Sequence, residues 1–318
     1  MKQDQTAQGE ERVSSPKVGA GASSAKPFDK TRSAADAIAQ LRDGMTIGIG
    51  GWGPRRKPMA LVREILRSPL KDLTVVSYGG PDVGMLCAAG KVKKLIFAFV
   101  TMDAIPLEPY YRKARESGVL QVEEYDEGMF EWGLRAAGMR MSFLPTRCGL
   151  ATDVLAKNPR LKTIQSPYDD GEVYVAMPAL KLDAALIHVN DSDRLGNTLV
   201  RGHDVFFDHL FARASSHTIV STEVLHERLA VDAETAKQNA FERYLVQAVV
   251  HAPCGAHPTY FGPNYGLDME HLKHYNASAT EDGGWQKYMD EFVNVGEAAY
   301  LAKIGGAERV SKLKLPVY

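Results

Sequence analysis

Cysteine is scarce in this chain. Three residues, Cys87, Cys148 and Cys254, are scattered over 318 positions, and no C-x-x-C pair occurs. An odd, dispersed set builds no disulfide framework, so a reducing, cytoplasmic location is expected. Long apolar runs are missing too. Stretches such as Leu95–Val100 are far too short to cross a bilayer, and no membrane association is expected. Neither sign of charge dominates. The formal net charge is -1, and basic runs such as Arg55–Lys57 and Lys91–Lys94 are local, which argues against a nucleic-acid binder. There is no G-K-[ST] of a phosphate loop, no G-x-S-x-G of a serine hydrolase and no internal repeat.

What remains is an ordinary globular composition, 45% hydrophobic and 24% charged. Residues 1–32 stand apart. They are rich in Gly, Ser, Ala and Lys and nearly devoid of large apolar side chains, so they cannot offset their ordering entropy. A disordered extension is expected there. It has no apolar core for a secretory signal, and Glu10 and Glu11 argue against a transit peptide.

From Ser33 the pattern changes. Ser33 caps a short helix with Ile38 and Leu41 on one face. Strands are predicted at Met45–Ile49, Leu73–Tyr78, Leu95–Thr101 and Val119–Asp126. Helices are predicted between and after them, at Met59–Arg67, Asp82–Ala89, Pro106–Ser117 and Gly128–Met139. Such alternation is the pattern of an α/β fold: an open, mainly parallel sheet with helices on both faces. Further strands are predicted at Tyr174–Leu180, Ala184–Asn190 and His217–Leu225, with helices at Phe206–Ser215, Met269–Tyr275, Trp285–Val295 and Glu297–Ile304. With no linker after residue 33, residues 33–318 are expected to form a single domain with C-terminal helical elaborations.

Ligands of such sheets bind beyond the carboxyl ends of the strands. The segment Asp43–Pro58, DGMTIGIGGWGPRRKP, runs from a strand into a loop with Gly50, Gly51, Trp52 and Gly53, then the cations Arg55, Arg56 and Lys57, then a helix. Its glycines are not read as a dinucleotide fingerprint. Loop N–H groups and the helix start suit a phosphate, a carboxylate or a developing oxyanion, or else form a tight turn with solvated cations. The motif YDEGM places Asp126 and Glu127 at the end of another strand. Asp126 is a natural helix cap. Glu127 is a candidate nucleophile or general base, or a helix-start charge. Arg147 in FLPTRCG suits either a substrate carboxylate or a structural ion pair, and Cys148 beside it reads as a small buried hydrophobe. The acids and amides of His188–Asn197 fit a turn better than an oxygen-ligated metal. His251-x-x-Cys254-x-x-His257 lacks a fourth zinc ligand at the usual spacing, and no metal site is expected.

Together these motifs resemble a known family. DGMTIGIGGWGPRRKP resembles the alpha-subunit signature of family I coenzyme A transferases, and LDAALIHVNDSDRLGN and APCGAHP resemble two of its further segments. The likeness spans about residues 33 to 304. Two departures stand out: Trp52 replaces the signature's phenylalanine, and Arg56 occupies the place of its second glycine. The Ser-Glu-Asn-Gly nucleophile motif is absent, as in alpha chains of two-chain members, where the partner carries it. WGPRRKPMA, SYGGPDVGML, YDEGM and FLPTRCG are similar to a narrower branch, the steroid ring-cleaving hydrolases. The resemblance implies a homologous beta subunit, an acyl-CoA bound between the two chains, no cofactor, and a carbon–carbon bond hydrolase acting on a CoA thioester. It also implies that Glu127 is the essential glutamate. Gly51, Trp52, Gly53, Arg56, Arg147 and Asn190 form the expected substrate- and CoA-binding set, with loop N–H groups and Arg56 as enolate donors. The alternatives are a CoA transferase for a dicarboxylic or 3-oxo acid, and a non-catalytic subunit.

Overall fold

The structure is a computed structural model that describes residues 28–316, except Pro106, His203, Asp204 and Val231. Most of the expected disordered extension therefore lies outside the described residues. Its last part does not behave as expected. Lys30, Thr31 and Arg32 run alongside a sheet strand: the Arg32 N–H donates to Val249 O at 2.9 Å, and the Val249 N–H donates to Lys30 O at 2.9 Å. Asp29 pairs with Arg194 at 2.5 Å. The folded unit thus begins before Ser33. Backbone pairing at a sheet edge needs no apolar side chains, which is why composition hid it.

The chain alternates strand and helix as the pattern predicts. After α1 (Ala34–Ile38), whose Ser33 cap accepts the Asp36 N–H, come β1 (Thr46–Ile49), α2 (Met59–Arg67), β2 (Leu73–Gly79) and α3 (Pro81–Ala88). Then follow β3 (Val92–Val100), α4 (Pro109–Glu116), β4 (Gln121–Glu124) and α5 (Glu127–Gly138). Next are β5 (Phe143–Thr146), α6 (Asp153–Lys157), β6 (Lys162–Gln165) and β7 (Val173–Pro178). These three strands form a separate antiparallel sheet in the order β5-β7-β6. The short link from β6 to β7 leaves no room for a crossover helix, so the predicted strand near Tyr174–Leu180 turns back instead of extending the main sheet.

β8 (Leu182–Asp193), β9 (Thr198–Leu199), α7 (Asp208–Ala214), β10 (Ser215–His226) and β11 (Val246–His251) complete the main sheet. Its order is β11-β10-β8-β1-β2-β3-β4, all parallel, with β9 antiparallel on β8. The chain winds outward from β1 to β4, then returns to β8 on the other side of β1. The order reverses between β1 and β8, where an open α/β sheet leaves a crevice.

Period-two alternation covers both faces. Ile47, Ile49, Leu73, Val75, Ala184, Leu186 and Ile219 face one buried cluster, packed by α1 to α4 and α8 (Met269–Ser278). Val76, Tyr78, Ala185, Ile187, Val189 and Val220 face the other, packed by α5, α7 and β7. The C-terminal helices α9 (Gly284–Tyr288), α10 (Glu297–Lys303) and α11 (Gly306–Ser311) close the end of the first layer. No helix among the described residues is long and apolar enough to cross a membrane.

One buried acid lies in the first layer. α4 starts at Pro109, later than predicted, because Glu108 is its cap. The Glu108 carboxylate accepts the Tyr111 N–H at 2.6 Å and the Tyr275 hydroxyl at 2.6 Å, and it packs onto Gly84 of α3. Only 1% of Glu108 is exposed, and burial pushes its carboxyl up to about 7. The folded state therefore holds this proton more tightly than the unfolded chain, whose carboxyl titrates near 4.5. The associated stability is complete below that value and is lost as pH rises through about 7, on the order of 3 kcal/mol. Glu108→Gln mimics the protonated acid. Urea unfolding between pH 5 and pH 8 should show wild type losing about that much stability relative to the variant, and parallel curves would refute the assignment.

Candidate active site

The site is built by the loop after β1. Gly48, Gly50 and Gly53 do fall on a G-x-G-x-x-G spacing. Gly48, however, lies inside β1 and α2 begins only at Met59, so these glycines meet no helix start. Instead the loop turns sideways and crosses the carboxyl ends of β2 and β3. The Gly53 N–H donates to Tyr78 O at 3.1 Å. A side chain at Gly80 would lie 2.4 Å from Gly53 O, so only glycine lets the loop pass this close. Gly51 takes the left-handed conformation, φ +76°, that starts the crossing.

Charges buried beneath the loop hold it. The sequence pattern suggests solvated cations or ligand donors at Arg56 and Lys57. They are 3% and 0% exposed. Arg56 pairs with the fully buried Asp208 at 3.0 Å and donates to Val205 O. Asp208 also accepts the Gly51 N–H at 2.8 Å. Lys57 Nζ lies 3.2 Å from Asp82 and donates to Ser77 Oγ at 2.9 Å. Burial pushes the Lys57 ammonium down, against the pull of Asp82. Arg56 sits at φ +50°, a conformation that suits glycine. An arginine in that conformation costs roughly 1–2 kcal/mol.

These contacts correct part of the expected donor set. The main-chain N–H groups of Gly51, Trp52 and Gly53 already donate to Asp208, Arg55 O and Tyr78 O. The start of α2 is covered as well, because the Ala60 N–H donates to Gly255 O at 2.8 Å. Neither feature is left open to an oxyanion. Asn190 is 1% exposed; its amide donates to Asn264 Oδ1 at 2.7 Å and accepts the Arg201 N–H at 2.8 Å, so it ties loops together.

The crossing loop delivers Trp52 to Glu127. Three strand spacings separate β1 from β4, roughly 14 Å. Trp52 bridges them, and its indole N–H donates to Glu127 Oε1 at 2.7 Å. Glu127 is the first residue of α5, and Asp126 caps that helix by accepting the Met129 N–H at 2.7 Å. The Tyr78 hydroxyl donates to Glu127 O at 3.1 Å. Burial and then the Glu127 charge push the Tyr78 phenol well up, so it remains a neutral donor. Trp52 meets Phe99 edge-on at 4.8 Å and lies parallel to Phe206 at 6.4 Å, while the Arg55 guanidinium, held by Asp103, covers its face at 5.0 Å. On this chain the Glu127 carboxylate is exposed beside an aromatic wall.

Arg147 lies near but does not converge. Cys148 Sγ packs onto Gly128, which puts this loop beside the start of α5. The Arg147 side chain is 70% exposed, and its guanidinium pairs with Glu172 at 2.8 Å. Cys148 is exposed, contrary to its reading as a buried hydrophobe. In His188–Asn197, Asp193 accepts the N–H groups of Leu195 and Asn197 at 3.0 Å, an Asx turn. His257 Nε2 lies 3.0 Å from Asp268, and the Cys254 N–H donates to Glu223, so the two residues serve different networks. Sequence reasoning missed Asp208, Tyr78, Phe99 and Phe206. Only Tyr78, directly before Gly79-Gly80, carried a local signal.

Comparison with known proteins agrees with this geometry. The coenzyme A transferase profile matches residues 31–252. The chain is 47% identical over 283 residues to the cholesterol ring-cleaving hydrolase IpdA subunit of Rhodococcus jostii, covering 87% of this chain and 96% of that one. It is 46% identical over 288 residues to the protein of that name from Mycobacterium tuberculosis, covering 87% and 97%. The crystal structure of glutaconate coenzyme A-transferase from Acidaminococcus fermentans superposes with a TM-score of 0.82 at 30% identity, covering 90% and 96%. With its parallel sheet, its crossing loop and this span of matched residues, the chain belongs to the coenzyme A transferase family.

Proposed function

We propose that this chain is the alpha subunit of an acyl-CoA hydrolase that opens a carbon ring in a steroid-derived, cyclic β-oxo acyl-CoA. The single observation that carries this reading is the exposed Glu127 carboxylate, held by the Trp52 N–H beside an aromatic wall. The wall suits a large apolar acyl group. The names of the relatives at 46–47% identity support the substrate class.

Glu127 acts as general base on water. The hydroxide adds to the ring ketone. The tetrahedral oxyanion then collapses, and the bond between the ketone carbon and the thioester α-carbon breaks. The electron pair leaves as a thioester enolate, which takes back the proton. One water is consumed, the ring becomes a carboxylate, and the CoA thioester survives. The enolate and oxyanion need donors. The loop N–H groups are spent internally, so these donors come from across the boundary with a homologous beta subunit, whose cleft completes the site. Arg147 reaches the substrate's free carboxylate only if it exchanges Glu172 for it.

A CoA transferase reading draws on the likeness to glutaconate coenzyme A-transferase. It puts the nucleophile in the partner chain and opens no ring. The two differ in oxygen-18 water. Hydrolysis places one labelled oxygen in the new carboxylate of a ring-opened CoA thioester, whereas transfer leaves the ring closed and requires an acceptor acid. A closed, unlabelled product would overturn the hydrolase reading.

Glu127→Ala in the reconstituted two-chain enzyme should lower kcat on the order of 1,000-fold. Assembly should persist, because Asp126 still caps α5 and a helix-start charge contributes about 0.5 kcal/mol. Turnover retained in an assembled variant would remove Glu127 from the mechanism.

A further inference from the structure

Trp52 does more than line the site. An exposed glutamate at a helix start samples several rotamers, and fixing one costs about 1–2 kcal/mol. Here a single rigid donor selects the rotamer. The indole N–H carries one proton in the ring plane, with no torsion of its own, and it meets Oε1 of Glu127 at 2.7 Å. The indole is itself held on each side. Phe99 meets it edge-on at 4.8 Å, Phe206 lies parallel at 6.4 Å, and the Arg55 guanidinium sits 5.0 Å from its centre. Its main chain is fixed because its N–H donates to Arg55 O at 3.0 Å and the preceding Gly51 is bound to Asp208. Phenylalanine, the signature's residue at this position, fills similar space but offers no N–H.

We propose that Trp52 is a positioning residue: its indole N–H occupies Oε1 of Glu127 and leaves Oε2 as the oxygen that takes the proton. This inference rests on the reading of Glu127 as the base. It makes the indole nitrogen, not the bulk of the ring, the feature that matters. The donor acts once substrate is bound, so its loss lowers kcat and spares KM.

Replacing Trp52 alone with 3-benzothienylalanine tests it. That residue keeps the shape of tryptophan and puts sulfur where the N–H was, so the packing on Phe99 and Phe206 survives. In the two-chain enzyme, kcat should fall on the order of 10- to 100-fold with KM unchanged. Trp52→Phe should fall at least as far. A benzothienyl enzyme with wild-type kcat would reduce Trp52 to packing, and a raised KM with normal kcat would make it a substrate contact; either overturns the proposal. Glu127→Ala, assayed alongside, separates the two claims. If that variant is active, the base assignment fails and takes this inference with it. If it is inactive while the sulfur analogue turns over normally, the positioning role alone fails.

Discussion

Two buried ion pairs decide the shape of this molecule's working end. Arg56 with Asp208, and Lys57 with Asp82 and Ser77, sit beneath the loop after β1 with almost no solvent. A charge in that position must be paired, or its desolvation would unfold the loop. The pairs admit one path for the chain: across the carboxyl ends of β2 and β3, under the close approach of Gly53 to Gly80. Trp52 reaches Glu127 only along that path. Removing one partner of either pair would strand its counterpart, at a cost of about 3–5 kcal/mol. The chain takes the left-handed conformation at Arg56 where it enters this pair.

The division of labour at the site follows from this constraint. Backbone donors in the loop hold the loop, so they are not left for an anion. Side chains do the presenting: Trp52 on the carboxylate, Tyr78 on the main chain of Glu127, and Phe99, Phe206 and Arg55 around the indole. The result is a carboxylate with one oxygen committed and one face open, set at the positive end of a capped twelve-residue helix. An open carboxylate is a weak base in water. On the proposed reading, a second subunit excludes solvent and supplies the missing donors, and that is why the alpha chain alone carries half a site.

Much of this was legible locally. Alternating strands and helices gave the parallel sheet, and Asp126 was recognisable as a cap. Its place at a strand end made Glu127 a candidate, and only the family resemblance singled it out from a helix-start charge. Long-range pairing was not legible. Three consecutive cations look solvated in sequence, yet Arg55 is partly exposed while Arg56 and Lys57 are buried. Nothing near Arg56 announces that its counter-ion is Asp208, some 150 residues on. Nor did composition mark the paired segment at Lys30–Arg32, because that pairing rests on backbone and not on side-chain pattern. β11 differs: Val246, Ala248, Val249 and Val250 are buried on both faces, an apolar pattern that was there to be read. The small antiparallel sheet was hidden for a related reason: strand direction is set by link length, which a strand's own residues do not encode.

The proposed mechanism requires Glu127 to face the reacting carbon of a bound thioester. A structure of the two-chain enzyme holding an unreactive β-oxo thioester analogue tests it most directly. The free Glu127 oxygen should lie within about 3–3.5 Å of a water poised at the ring carbonyl, inside a cleft closed by the partner. An analogue bound with its carbonyl remote from Glu127, or a Glu127 carboxylate still open to bulk water in the assembled complex, would contradict it.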